Sequence, residues 1–194
     1  MHSLTKHLDA AYHILRYLKG TPSKGILFRK IKDRGIQGFV DADWASSLED
    51  NKSTSGYCTK LWGNLVTWRR KKQSVIARSS AEVEYRAIAQ GICEVIWLGK
   101  FMNDLKMPNT NLTRLYRDSK SAISIVNNPV QHDRMKHVRI DRHFIRQEIE
   151  EGGINLVYIL TSLLEADILT KTMNKQGFEV IRGKLGMKDI YSLA

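Results

Sequence analysis

Between residues 9 and 19 the run DAAYHILRYLK sets Ala11, Ile14, Leu15 and Leu18 on one helical face, and Gly20 and Pro22 stop it. After a short β-forming run, GILFRK, the stretch IQGFVDADWA predicts a strand. It leads from apolar Gly38-Phe39-Val40 into Asp41, Ala42, Asp43 and Trp44. Asp50-Asn51-Lys52-Ser53 is a polar connector. SGYCTKLWGNLVTWRR then holds two β-rich runs around Gly63-Asn64, which predicts a hairpin and, with the preceding strand, an antiparallel meander.

Ser79 followed by Glu82 fits a capping box and opens a long helix. Val83, Ala87, Ile88, Ile92, Val95, Ile96 and Phe101 carry it to about Leu105, before Pro108-Asn109. TRLYRDSKSAISIVNN predicts a strand ending at Asp118 and a helix that Pro129 ends. DRHFIRQEIEE is helical up to Gly152-Gly153, INLVYI is a strand, and SLLEADILTK and KQGFEVIRGKLG are helical. Strand–helix alternation in this second half predicts parallel pairing. The expected fold is α/β: a mixed five-stranded sheet, three antiparallel strands followed by parallel ones, flanked by helices.

The 194 residues suffice for one cored domain plus an appendage. A net charge of +11, with a pI near 9.7, favours a polyanionic partner, nucleic acid before acidic membrane. No apolar run approaches the roughly 18 residues of a membrane span. Lys6, His7 and Asp9 interrupt any apolar leader segment, and two cysteines are no disulfide framework.

A strand that ends in carboxylates is costly to bury unless a cation is near. Four acids fall at comparable places: Asp41 and Asp118 at strand ends, Glu84 early in the long helix, and Asp167 after the last strand. Strand ends beside a change of direction are where α/β sheets bind ligands. Each acid also has a plainer reading. Asp118 alone reads better as a helix cap, Asp167 forms a surface i,i+4 pair with Lys171, and Asp43 supports a turn. Glu82 and Glu84 face about 200° apart. Closing the capping box with Glu82 leaves Glu84 for the sheet. Together the four form an oxygen-only donor set suited to Mg2+.

The stretches FVDADWA, NKSTSGYCTKLWGNLVTWRRKKQ, ARSSAEVEYRAIAQ, LYRDSKSAI, MKHVRIDRHFIRQEI and ADILTK closely resemble the ribonuclease H region of copia-like LTR-retrotransposon Pol polyproteins of the plant type. DAAYHILRYLKGTPSKG resembles the segment joining reverse transcriptase to ribonuclease H, and RGKLGMKDIY resembles the polyprotein's end. The resemblance implies three parts: a connecting tail over 1–34, a ribonuclease H domain over 35–172 and a C-terminal helical tail over 173–194. It implies Mg2+-dependent endonucleolytic hydrolysis of the RNA strand of RNA–DNA hybrids during reverse transcription. It puts the catalytic carboxylates on Asp41, Glu84, Asp118 and Asp167, holding two Mg2+ ions, with Mn2+ a substitute. Asp41 is implied to bridge the ions, Glu84 and Asp118 to serve the leaving-group side, and Asp167 the nucleophile side.

The expected partners are the hybrid and the polyprotein's reverse transcriptase domain, with no membrane. The expected location is cytoplasmic, in a virus-like particle, or nuclear. The chain departs from the family at Leu164, where Gln is usual, and at Arg70, where Ser is. It also lacks a histidine before the last acid, and His137 and His143 are read as structural.

Arg69, Arg70, Lys71, Lys72, Gln73, Arg78 and Ser80 lie between the third strand and the long helix, where cations and helix N–H groups grip phosphates. A solvated basic turn explains any one of them equally well. Ser80, Gln73 and Asn51 are candidates for reading 2′-hydroxyls. Two rival readings stay open. One is a non-catalytic nucleic-acid-binding or scaffold module from a retrotransposon fragment. The other is an integrase- or transposase-like relative of the same fold.

Overall fold

In the computed structural model, residues 2–31, 34–108, 111–120 and 136–193 are described. Helix α1 (His2–Gly20) and strand β1 (Lys24–Ile26) come first. β2 (Ile36–Asp43), β3 (Thr54–Leu61) and β4 (Asn64–Lys72) follow, then α2 (Ser80–Asp104) and β5 (Thr113–Arg117). The rest is α3 (Lys136–Glu150), β6 (Ile154–Tyr158), α4 (Asp167–Thr170), α5 (Lys175–Lys184) and β7 (Met187–Asp189). The helix expected after Asp118 lies outside the described residues.

The main sheet has the order β4-β3-β2-β5-β6. β2, β3 and β4 pair antiparallel, whereas β5 joins β2 and β6 joins β5 in parallel. This is the mixed sheet that the meander and the alternation predicted. The hairpin turns on Trp62-Gly63, both at positive φ (52° and 73°), as a two-residue turn matching strand twist requires.

Period-two alternation divides the core. On one face Ile36 and Val40 of β2 and Leu115 of β5 pack under Ile88, Ile92, Val95 and Leu98 of α2, with Ile145 of α3. On the other, Phe39 and Cys58 meet Leu164 and Ala166. The Ser79 hydroxyl accepts the Glu82 N–H, as the capping box requires. The Glu82 carboxylate turns back one residue further than expected, to the Arg78 N–H at 2.9 Å, and also pairs with Arg86.

Two expectations need correction. SLLEADILTK is not one helix: a 3-10 turn over Thr161–Leu163 gives way at Leu164 to extended backbone, and α4 has four residues only. The reason is burial, since Leu164 and Ala166 are fully enclosed against β2 and β3, and a straight helix would turn one of them outward. The C-terminal segment is not helical throughout. β7 pairs antiparallel with β1, an ion pair of Lys24 with Asp189 at 3.0 Å across them.

A buried ion pair ties α5 to the sheet. Lys60 Nζ reaches Glu165 Oε1 at 2.6 Å and the Lys184 carbonyl at 2.9 Å. Burial raises the Glu165 pKa, and Lys60 works against that rise.

Candidate active site

β2 carries Asp41 to its C-terminal end, on the face that α4 covers. The cross-strand row Asp41–Gly56–Arg70 runs along the three antiparallel strands. At its centre Gly56 leaves room for α4. A Cβ there would stand 2.8 Å from Leu169 Cβ and 2.9 Å from Thr170 Cγ2. α4 therefore sits directly on β3, and its first residue, Asp167, comes beside Asp41. β5 lies next to β2 in parallel, so the residue after it, Asp118, arrives at the same edge. One carboxylate oxygen each of Asp41, Asp118 and Asp167 lie within 4.8 Å of one another, and Asp41 and Asp167 are buried.

Neighbouring side chains hold these acids in place. The Thr170 hydroxyl donates to Asp41 Oδ2, and Thr161 Oγ1 donates to Asp118 Oδ2 at 2.9 Å. Burial, opposed by Lys171 and assisted by the Asp41 and Asp118 charges, pushes the Asp167 pKa up to about 6. Asp43, half-buried two residues beyond Asp41, is also raised, by burial and then by Asp41.

Glu84 stands apart from that trio. Arg117 and Asp118 are adjacent and point to opposite faces of the sheet. Asp118 joins the α4 side, and Arg117 meets α2. There its Nη2 pairs with Glu84 Oε2 at 3.1 Å, and Ser119 Oγ donates to the same oxygen at 3.2 Å. Arg117 is only 4% exposed, and burial lowers its pKa against the pull of Glu84, Asp118 and Asp41. The predicted four acids are thus three together and one held by a buried guanidinium.

Lys171 was legible only as the i+4 partner of Asp167. Its ammonium lies 3.0 Å from Asp167 Oδ1, 3.3 Å from Asp41 Oδ1 and 3.7 Å from Asp118 Oδ2. Burial opposes its charge, but the three carboxylates outweigh burial and raise its pKa. Arg117 did carry a signal in the sequence, because a strand residue directly before an acid must face away from it.

The predicted nucleic-acid contacts fall along the edge strand β4 and the turn into α2. Arg69, Arg70, Lys71, Arg78 and Ser80 are exposed. Lys72, also exposed, pairs with Asp50 at 2.8 Å. Gln73 is buried, its amide donating to Ser55 and to the Val83 carbonyl and accepting from Arg86. Lys71, Arg78 and Arg86 line a groove beside it. His143 is exposed, and the His137 side chain lies outside the described residues.

No family model matches the chain. It is 38% identical over 188 residues to the retrovirus-related Pol polyprotein from transposon RE1 of Arabidopsis thaliana. It is 34% identical over 182 residues to that from transposon TNT 1-94 of Nicotiana tabacum. These alignments take in 96% and 94% of the chain but only 13% and 14% of the polyproteins. Among solved structures, the N-terminal RNase H domain of rv2228c from Mycobacterium tuberculosis superposes with a TM-score of 0.53. That match covers 84% of this chain and all of the other, at 12% identity. LC11-RNase H1, isolated from compost, superposes with a TM-score of 0.54 over 79% of this chain and 99% of its own, at 14% identity. LC11-RNase H1 has also been solved in complex with an RNA/DNA hybrid, with a TM-score of 0.52 to this chain over 70% of it and 93% of its own, at 13% identity.

Proposed function

Since this chain is a homologue of the retrovirus-related Pol polyproteins of plant copia-like transposons and has the ribonuclease H fold, we propose that it is a ribonuclease H. Its reaction is the Mg2+-dependent hydrolysis of the RNA strand of RNA–DNA hybrids, as one part of a polyprotein whose polymerase presents the substrate. The observation that carries this reading is the convergence of Asp41, Asp118 and Asp167 at the adjacent ends of β2 and β5.

The donors fit the metal. They are all carboxylate oxygens, two of the three acids are buried, and a cation, the Lys171 ammonium, already rests among them. Asp41, Asp118 and Asp167 would hold the first ion. Glu84, whose Oε2 is held by Arg117 and Ser119, would contribute to a second through its other oxygen. When bound, Mg2+ supplies a more acidic water and positive charge for the phosphate in transit.

The chain's own groups supply the rest. Thr170 and Thr161 aim the Asp41 and Asp118 carboxylates. Arg70, in cross-strand register with Asp41, and exposed Arg69, Lys71 and Arg78 offer charge to the nucleic-acid backbone. Recognition through phosphates and shape makes cleavage tolerant of sequence.

The test is incubation of purified chain with a 5′-labelled RNA–DNA hybrid and Mg2+, beside Asp41→Asn and an EDTA control. RNA cleavage that disappears in both controls is the expected result. Equal hybrid binding by wild type and Asp41→Asn with cleavage by neither, even with the polymerase portion added in trans, would replace this reading with a binding module.

A further inference from the structure

Three carboxylates drawn to one point repel each other, and two of them are shielded from water, so a cation among them stabilises the ionised cluster. Lys171 meets that need from the end of α4. An ordinary i,i+4 partner on a helix reaches a single acid. This ammonium contacts acids from three separate elements: Asp167 of α4 at 3.0 Å, Asp41 of β2 at 3.3 Å and Asp118 beyond β5 at 3.7 Å.

The two cations of the site differ in freedom. Arg117 is 4% exposed and bonded to Glu84 below the sheet edge. The Lys171 side chain is 35% exposed, with an open path to solvent along a flexible four-carbon stem.

We propose that Lys171 is a resident counter-cation of the acid cluster, standing between Asp41, Asp118 and Asp167 where a divalent ion would be held, so that metal enters only as the ammonium leaves. It is a positioning residue that keeps the metal-free acids together and sets the metal concentration at which the site fills. The inference rests on the metal reading proposed above. It differs from a surface ion pair in what it demands: removing the lysine must strengthen metal binding while weakening the metal-free fold.

The experiment titrates Mn2+ into the purified chain without nucleic acid, followed by electron paramagnetic resonance. Wild type, Lys171→Met, Lys171→Arg and Asp41→Asn are compared, and Tm is measured in EDTA. Lys171→Met is expected to bind Mn2+ about tenfold more tightly than wild type. It should melt lower in EDTA and recover with Mn2+. Lys171→Arg, which keeps the charge, should stay within about threefold of wild type. Asp41→Asn should lose binding.

Should Lys171→Met melt below the assay temperature, Lys171→Gln carries the same expectation. Equal or weaker Mn2+ binding by the uncharged variants, with wild type binding normally, overturns the counter-cation and leaves the metal site standing. No Mn2+ binding by wild type overturns both.

Discussion

Asp167, a proposed metal-holding acid, shows what a buried carboxylate costs the protein that carries it. Its pKa, 3.8 in the open chain, rises to about 6 in the fold, chiefly through burial. Between those values the folded state binds more protons than the unfolded state. Stability therefore falls as pH rises from about 4 to about 6 and stays lower above that. In EDTA at pH 7.5, Asp167→Asn should be the more stable protein, by at most about 3 kcal/mol, because a neutral amide carries no burial penalty for charge. Urea unfolding at pH 7.5 and pH 3.5 checks this: the difference should vanish at the lower pH, where both side chains are neutral. Arg117 and Asp118 make the complementary point. One peptide bond separates a residue that joins the acid cluster from one that pairs with Glu84, because a strand sends them to opposite faces.

α4 has four residues, too few to stand as a helix without packing, and is held by what lies around it. Leu164 and Ala166 anchor its approach, and the absence of a side chain at Gly56 lets it rest on β3. That close seat brings Asp167 and Thr170 to Asp41. Gly56→Val should push α4 off the sheet, costing about 1–3 kcal/mol from overpacking. The loss of hybrid cleavage should be larger than that destabilisation explains, about a hundredfold, because displaced carboxylates no longer share one point. Cleavage rates measured well below the variant's Tm, beside its urea midpoint, separate the two effects. Full activity in a destabilised Gly56→Val chain would refute the role given to this seat. The capping box at α2 and the hairpin between β3 and β4 were legible as local chemistry, although the turn falls on Trp62-Gly63 rather than on Gly63-Asn64. The break at Leu164 was not, because its cause is packing against β2 and β3, far away in sequence.

On the proposed reading the net charge of +11 serves the chain's encounter with nucleic acid, and its distribution matters more than its sum. Arg69, Arg70, Lys71 and Arg78 are exposed along the edge strand β4 and the turn to α2, and Arg70 stands in cross-strand register with Asp41. Lys72 is partly committed to Asp50. Hybrid affinity should therefore fall steeply with salt. Changing Arg70 and Lys71 together to Gln should reduce the slope of log K against log salt by about 2, one for each phosphate no longer neutralised. Lys72→Gln should change the slope less. Fluorescence anisotropy with a labelled hybrid in EDTA, across a salt series, reads both. An unchanged slope in the double variant would move the binding face elsewhere.

Residue order alone was enough for the mixed sheet, the long capped helix and the basic stretch beside it, and for singling out Asp41, Asp118 and Asp167, which the fold brings together. These depend on period, capping chemistry, turn residues and motif spacing, all written within short stretches of chain. The partners of those acids had to wait for the folded chain. Lys171 reads as a surface partner of Asp167 until β2 and β5 bring Asp41 and Asp118 to it. Glu84 reads as a plain fourth acid until the pleat of β5 turns Arg117 toward α2 and pairs it with one Glu84 oxygen. β7 has no visible partner until it meets β1, near the other end of the chain. In each case the deciding interaction joins side chains distant in sequence, and electrostatic energy depends on their separation in space and their burial.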